Sequence, residues 1–233
     1  MNIKYSLFLA LCFLSGCKRY YNWSKQFFAQ ADKRDLHTSC IKPYHTYITV
    51  HDGFTTVGWF DLLWMSDPVW DWYNNNVAIR YGLTADALQK LEDDQAAENS
   101  AYITFYILMS QPNVPTDPLP RLGTNTASQW SIVLAVDGQE YQAKEIKLVD
   151  LSPELQEFFG LHYNRYRNVY RVKFARHVNS NPLEKESVQE SADLLDAETM
   201  ELRLRSIKHE VDFMWDHETG KWCIPQLGRP LVQ

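Results

Sequence analysis

The order of apolar and polar positions divides the chain into a β-rich body interrupted by one helical segment. Tyr44 to Val50 is rich in Tyr, Thr, Ile and Val and runs into Asp52-Gly53, the pattern of a strand ending in a tight turn. Residues 54–65 are apolar and aromatic, a second strand or the approach to a helix. Asp67-Pro68 then reads as an N-cap followed by proline at the first helical position, with Gly82 as the stop. Thr84 caps a second helix, with Leu83 and Leu88 placed as a hydrophobic staple and Asp86 against the positive helix start. Leu88 and Leu91 give that helix its apolar side, and Glu92, Asp93, Asp94 and Glu98 are assigned to water. The two form a helical hairpin set between strands.

From residue 100 the period switches to two. Tyr102 to Met109 is apolar on both faces, as expected of a central strand. Pro112, Pro115, Pro118 and Pro120 stand too close together for any ladder. Trp130, Ile132, Leu134 and Val136 alternate with Ser131 and Ala135 up to Asp137-Gly138, the strongest short-range hairpin signal in the chain. In the partner strand Tyr141 and Ala143 lie on one phase, Ile146 and Leu148 on the other, which predicts a bulge between them. Ser152-Pro153 opens a short helical turn over 152–160.

Further on, Tyr166, Tyr170, Val172 and Phe174 share one strand face, and Arg167, Arg171 and Lys173 the other, read as solvated. Residues 178–193 are polar, a loop or a weak helix. Met200, Leu202 and Leu204 alternate with Glu201, Arg203 and Arg205, and a last hairpin joins Val211, Phe213 and Trp215 to Trp222 and Ile224 through Thr219-Gly220. The expected fold is mainly β: an antiparallel β-sandwich, immunoglobulin-like in one form, with a helical insert around residues 67–98. An α+β arrangement with one antiparallel sheet is the alternative.

The first residues follow a different logic. Lys4 supplies a positive start, and Tyr5 to Leu14 form an apolar stretch too short to span a bilayer. It ends in Leu14-Ser15-Gly16-Cys17, a tetrad that resembles the lipobox of bacterial lipoproteins. The resemblance covers only the leader. It implies cleavage after Gly16, acylation of Cys17 and anchoring of the mature chain to a membrane. Lys18, where an Asp would mark inner-membrane retention in Gram-negative lipoproteins, favours the outer membrane. The expected organisation is therefore a signal peptide over 1–16, a tether or short helix over 17–40, and one exported β-rich domain over 41–233. Trp23, Phe27, Phe28 and Ala31 lie at helical spacing within that tether.

Composition narrows the function. With 45% hydrophobic and 22% charged residues over 233 positions, the chain can bury one good core. A net charge of −6 removes the basic footprint of nucleic-acid binding. Of four cysteines, Cys12 leaves with the leader and Cys17 carries lipid; Cys40 and Cys223 remain as a candidate disulfide, with two buried thiols as the other reading. No nucleophile elbow, P-loop or dinucleotide fingerprint is present. His209-Glu210 begins like a zincin helix, but Phe213 stands where the second His should be. His45 and His51 sit six residues apart and fall short of the three or four ligands of a zinc site, so neither metal nor cofactor is expected.

Two local features remain. Phe54, Trp59, Phe60, Trp64, Trp70, Trp72 and Tyr73 crowd one segment; Trp59, Trp64, Trp70, Trp72 and Tyr73 are candidate ligand-binding residues, able to stack on sugar rings or to glue the insert to the sheet. His162 to Arg171 interleaves Tyr with basic residues, a match for anionic lipid or wall polymer or simply a solvated face. The expected function is a non-catalytic binding or scaffolding role in the cell envelope, with protein or glycan as ligand. A cell-wall polymer hydrolase is the alternative, with Asp67 and Asp71 as possible paired carboxylates, and a cavity for apolar cargo is a third reading.

Overall fold

The computed structural model describes residues 41–110, 130–163, 167–179, 191–218 and 220–223, the side chains of Leu161, Asn179, Ser191 and 221–223 excepted. Cys17, Cys40, the helix expected over 20–36, the proline-rich segment, Tyr166 and Ile224 lie outside the described residues, as does the Cys223 side chain. The chain divides into two units, residues 1–40 and 41–233, and every described residue belongs to the second.

Its strands are β1 (His45–Asp52), β2 (Thr55–Trp64), β3 (Tyr102–Ser110), β4 (Trp130–Val136), β5 (Gln139–Gln142), β6 (Glu145–Leu148), β7 (Asn168–Ala175), β8 (His177–Asn179), β9 (Ser191–Asp193), β10 (Met200–Ser206), β11 (Glu210–Asp216) and β12 (Lys221–Cys223). Its helices are α1 (Asp67–Tyr81), α2 (Ala85–Ala101) and α3 (Pro153–Phe159). The first sheet has the order β1-β2-β3-β7-β6 and the second β12-β11-β10-β4-β5, all pairings antiparallel; β8 and β9 form a separate ribbon. The fold is thus the expected sandwich with its helical insert, built on two sheets rather than one. Each sheet is a three-strand meander extended by two crossover strands, unlike the A-B-E-D on C-F-G order of a constant-type immunoglobulin domain.

The interior forms where alternate residues of both sheets meet. Phe60, Leu62, Ile103, Phe105, Ile107, Tyr170, Val172 and Phe174 of the first sheet face Trp130, Ile132, Leu134, Met200, Leu202, Leu204 and Phe213 of the second. Phe60 meets Trp130 edge-on at 4.7 Å between ring centroids. The first sheet is also covered on its outer face, where Leu63, Met65, Tyr106, Leu108 and Val169 pack with Val69 of α1 and Leu155, Phe158 and Phe159 of α3. This double burial explains why β3 is apolar at every position from Ile103 to Met109 except Thr104, which is itself buried.

Turn chemistry sets several boundaries. Asp137 and Gly138 both adopt positive φ (49° and 82°), as a type I′ hairpin requires, and Asp137 Oδ1 accepts the Thr199 backbone N–H at 2.9 Å. Gly82 ends α1 in the left-handed region, and Thr84 caps α2 by accepting the Ala87 N–H at 3.3 Å. Ser152 caps α3 in the same way.

Four expectations are corrected. Ser66, not Asp67, is the extended residue before α1, and Asp67 is its first helical residue. The phase change between Tyr141 and Ile146 is no bulge: β5 pairs with β4 in one sheet and β6 with β7 in the other, so the chain crosses the sandwich there. The basic face of β7 is not solvated. Arg171 is bonded to Glu145 at 2.7 Å, and Lys173, 9% exposed, pairs with Glu98 of α2 at 2.9 Å beneath the helices. Glu98 therefore faces the sheet rather than water.

The outer face of the second sheet carries charge instead. Arg203 bonds Glu140 and Glu201, and Arg205 bonds Glu140 and Glu210. Asp212 lies opposite Arg203 but has an unpartnered Oδ1. Burial, reinforced by the Glu210 charge, pushes the Asp212 carboxyl above the usual aspartate range. A raised acid binds its proton more tightly folded than unfolded, so it costs stability as pH rises between the unfolded and folded values. Asp212→Asn should raise the melting temperature at pH 7, an advantage that shrinks as pH falls toward about 4, read by thermal denaturation across pH.

Candidate functional site

Two polar assemblies are built on the outer face of the first sheet. The first lies within the helical hairpin. The three residues from Gly82 to Thr84 join α1 to α2, so the start of α1 lies beside the end of α2. Near the loop the half-buried positions of the two helices include the apolar Val77, Leu88 and Leu91. Toward the other end the same helical spacing brings in Trp70 and Asn74 from α1 and Glu92, Gln95 and Asn99 from α2. The helices cannot close there, and a cleft of about 300 Å³ opens, lined by Asp67, Trp70, Asp71, Asn74, Glu92, Gln95, Ala96 and Asn99.

Three atoms in that lining are buried without a hydrogen-bond partner: Trp70 Nε1, Asn74 Oδ1 and Gln95 Oε1. Asn74 is only 4% exposed. Leaving such groups unpaired costs roughly 1–3 kcal/mol each, so a cleft that holds three of them is poised for a partner that meets them. Of the carboxylates, Asp67 accepts a hydrogen bond from Asn99 Nδ2. Asp71 and Glu92 are exposed and enter no ion pair among the described residues.

The second assembly joins β1, β2 and the turn after α3. Asp61, 2% exposed, points from β2 toward the helical layer. His45 Nε2 lies 2.5 Å from its Oδ1 and His162 Nδ1 2.6 Å from its Oδ2. A carboxylate oxygen accepts, so each of these nitrogens donates, and His45 Nδ1 and His162 Nε2 take no part in these bonds. Phe159 packs edge-on to the His45 ring at 5.8 Å, and Tyr47, 60% exposed, edge-on to His162 at 4.8 Å. An imidazole held by a buried carboxylate has the form of a general base. Among the described residues neither ring bonds a serine, threonine or cysteine, and no three His, Cys, Asp or Glu side chains are arranged to hold a metal.

The aromatic segment is dispersed by the fold. Trp64 belongs to no surface platform: it is buried in the sandwich, edge-on to Trp215 of the second sheet at 4.7 Å. Trp72 packs on Phe158 at 4.6 Å and fastens α1 to α3. Trp59 lies under the Arg167 guanidinium at 5.9 Å. Trp70 and Tyr73 stay together, edge-on at 5.7 Å, and Trp70 lines the cleft. His51 does not join His45. A register shift at Val50/His51 separates them, and His51 instead lies 3.4 Å from the Thr56 hydroxyl.

The sequence reading names His45 and His162 separately but neither Asp61 nor their meeting, although Asp61 is a lone charge in the apolar run from Val57 to Met65 and signals a buried polar role. No family model matches the chain, and neither the curated proteins nor the solved structures contain a match to it.

Removing the carboxylate leaves two imidazoles over an apolar floor with no acceptor. Asp61→Ala should destabilise the domain by about 3 kcal/mol, lowering the melting temperature by roughly 6–12 °C in thermal denaturation.

Proposed function

We propose that this protein is a bacterial lipoprotein, cleaved before Cys17 and acylated there, whose domain works in the cell envelope as a non-catalytic binding module. Two or more acyl chains hold a protein stably at a membrane surface without a spanning helix. Among the described residues no helix is long and apolar enough to cross a membrane. With Lys18 after the anchor, the outer membrane is the proposed location.

The cleft between α1 and α2 carries the binding reading. It is concave, falls at the lower end of the size of small-ligand sites, and has three buried polar atoms without partners. Acids, amides and an indole are the groups that hydrogen-bond hydroxyls and stack on sugar rings, so a glycan of the cell wall suits the cleft better than a flat protein surface does. The buried Asp61 with its two imidazoles favours the second reading, a hydrolase of the same polymer.

Mass spectrometry of protein extracted from membranes should find the chain beginning at a diacylglyceryl-modified Cys17, and Cys17→Ser should retain its leader and leave the lipid fraction. The mature protein, kept in detergent, should bind an N-acetylglucosamine oligosaccharide with a change in tryptophan fluorescence. Trp70→Ala should weaken binding about tenfold. Recovery of intact oligosaccharide marks a binding module; shortened products mark the hydrolase.

A further inference from the structure

We propose that the α1–α2 cleft selects a ligand bearing at least two alkylammonium groups, a deepening that rests on the cleft being the binding site. Charge is the first determinant. Three carboxylates line the cleft, Asp67 and Asp71 from α1 and Glu92 from α2, and no lysine or arginine is among the lining residues. Arg176 feels the charge of Asp67 but does not line the cleft. Its guanidinium is committed: Nη2 to Asp193 at 2.7 Å and Nη1 to the Asn99 carbonyl at 3.1 Å. Asp71 and Glu92 stand on opposite helices without a cation among the described residues.

The orphaned atoms sharpen the choice. Asn74 Oδ1 and Gln95 Oε1 are acceptors, so the missing partner donates hydrogen bonds to both. Water or a sugar hydroxyl meets that need, but an ammonium meets it with three donors and the charge that Asp71 and Glu92 lack. Trp70 lines the same cleft, and an indole is the side chain best suited to a cation and to the methylenes that carry it. Three carboxylates and two orphaned acceptors disfavour an anionic ligand, and the one orphaned donor, Trp70 Nε1, calls for an acceptor on the spacer. Two unpaired carboxylates on opposite helices of one cleft match two positive groups joined by a short apolar or sugar spacer. The same chemistry comes from a free polyamine or from the amino sugars of a de-N-acetylated wall polymer.

Calorimetry on the mature protein in detergent separates these cases, using spermidine, a de-N-acetylated glucosamine trisaccharide and its N-acetylated counterpart, with wild type and Asp71→Asn/Glu92→Gln. Both substituted residues are exposed, so the variant keeps the fold. An amine is expected to bind at least about tenfold more tightly than the acetylated sugar at low salt. The double variant should lose about tenfold of that binding and with it most of the preference for the amine over the acetylated sugar. Tight binding of spermidine alone names a free polyamine as the source; tight binding of the amino trisaccharide alone names the polymer. Equal affinity for the acetylated sugar, or an amine affinity the double variant does not change, overturns the proposal and leaves the glycan reading standing. No binding of any of the three removes both.

Discussion

The structure depends on one constraint: the first sheet is buried on both faces. Its inner face closes the sandwich against the second sheet, and its outer face must be covered as well, because Leu63, Met65, Tyr106 and Leu108 cannot remain in water. Each such side chain contributes on the order of 1.5–3 kcal/mol when covered. The helical insert and α3 supply the cover. The insert leaves from the end of β2 and returns at the start of β3, adjacent strands, so it can fold back over the sheet without a long connection.

That cover has a consequence for every polar residue on the same face. Asp61, Arg171 and Lys173 would be ordinary surface groups on a one-sided sheet. Under the helices each needs a partner, and each has one: two imidazoles for Asp61, Glu145 for Arg171, Glu98 and the Tyr102 ring for Lys173. Arg80, near the end of α1, reaches Glu154 at 3.0 Å and also Glu157, so the two covering helices are tied by charge as well as by Trp72 on Phe158. The polar contacts locate the helices; the apolar ones hold them down.

How much of the fold is legible in the sequence depends on range. Strands β4 and β10 could be read because period-two alternation is local, and Asp137-Gly138 because its turn needs positive φ that few residues adopt. The crossing between β5 and β6 could not, since a chain that changes sheet and a chain that bulges show the same change of phase. The basic face of β7 looked solvated because the cover over Lys173 comes from Glu98, far away in sequence. Asp61 was hidden for the same reason: its partners lie 16 and 101 residues away. In the cleft, the polar residues of α2 were each visible, but their meeting with Asn74 and Trp70 depends on how the hairpin packs.

The placement of the cleft also weighs against a lodging for apolar cargo between the sheets. The space there is filled by large side chains: Trp130 against Phe60, Phe105 against Phe174 at 6.0 Å, and Trp64 between Tyr44 and Trp215. Opening a cavity among them would cost contacts on every wall. The helical hairpin carries a smaller share of the packing, through Val69 and the aromatic side chains of α1. No residue of α2 is fully buried, and α1 buries only Val69 and Asn74. Stability therefore resides in the sandwich, and the hairpin, which covers the sheet through one helix while the other stands partly clear, is free to keep polar atoms unpaired. A binding site costs least where the fold needs least from the residues that form it.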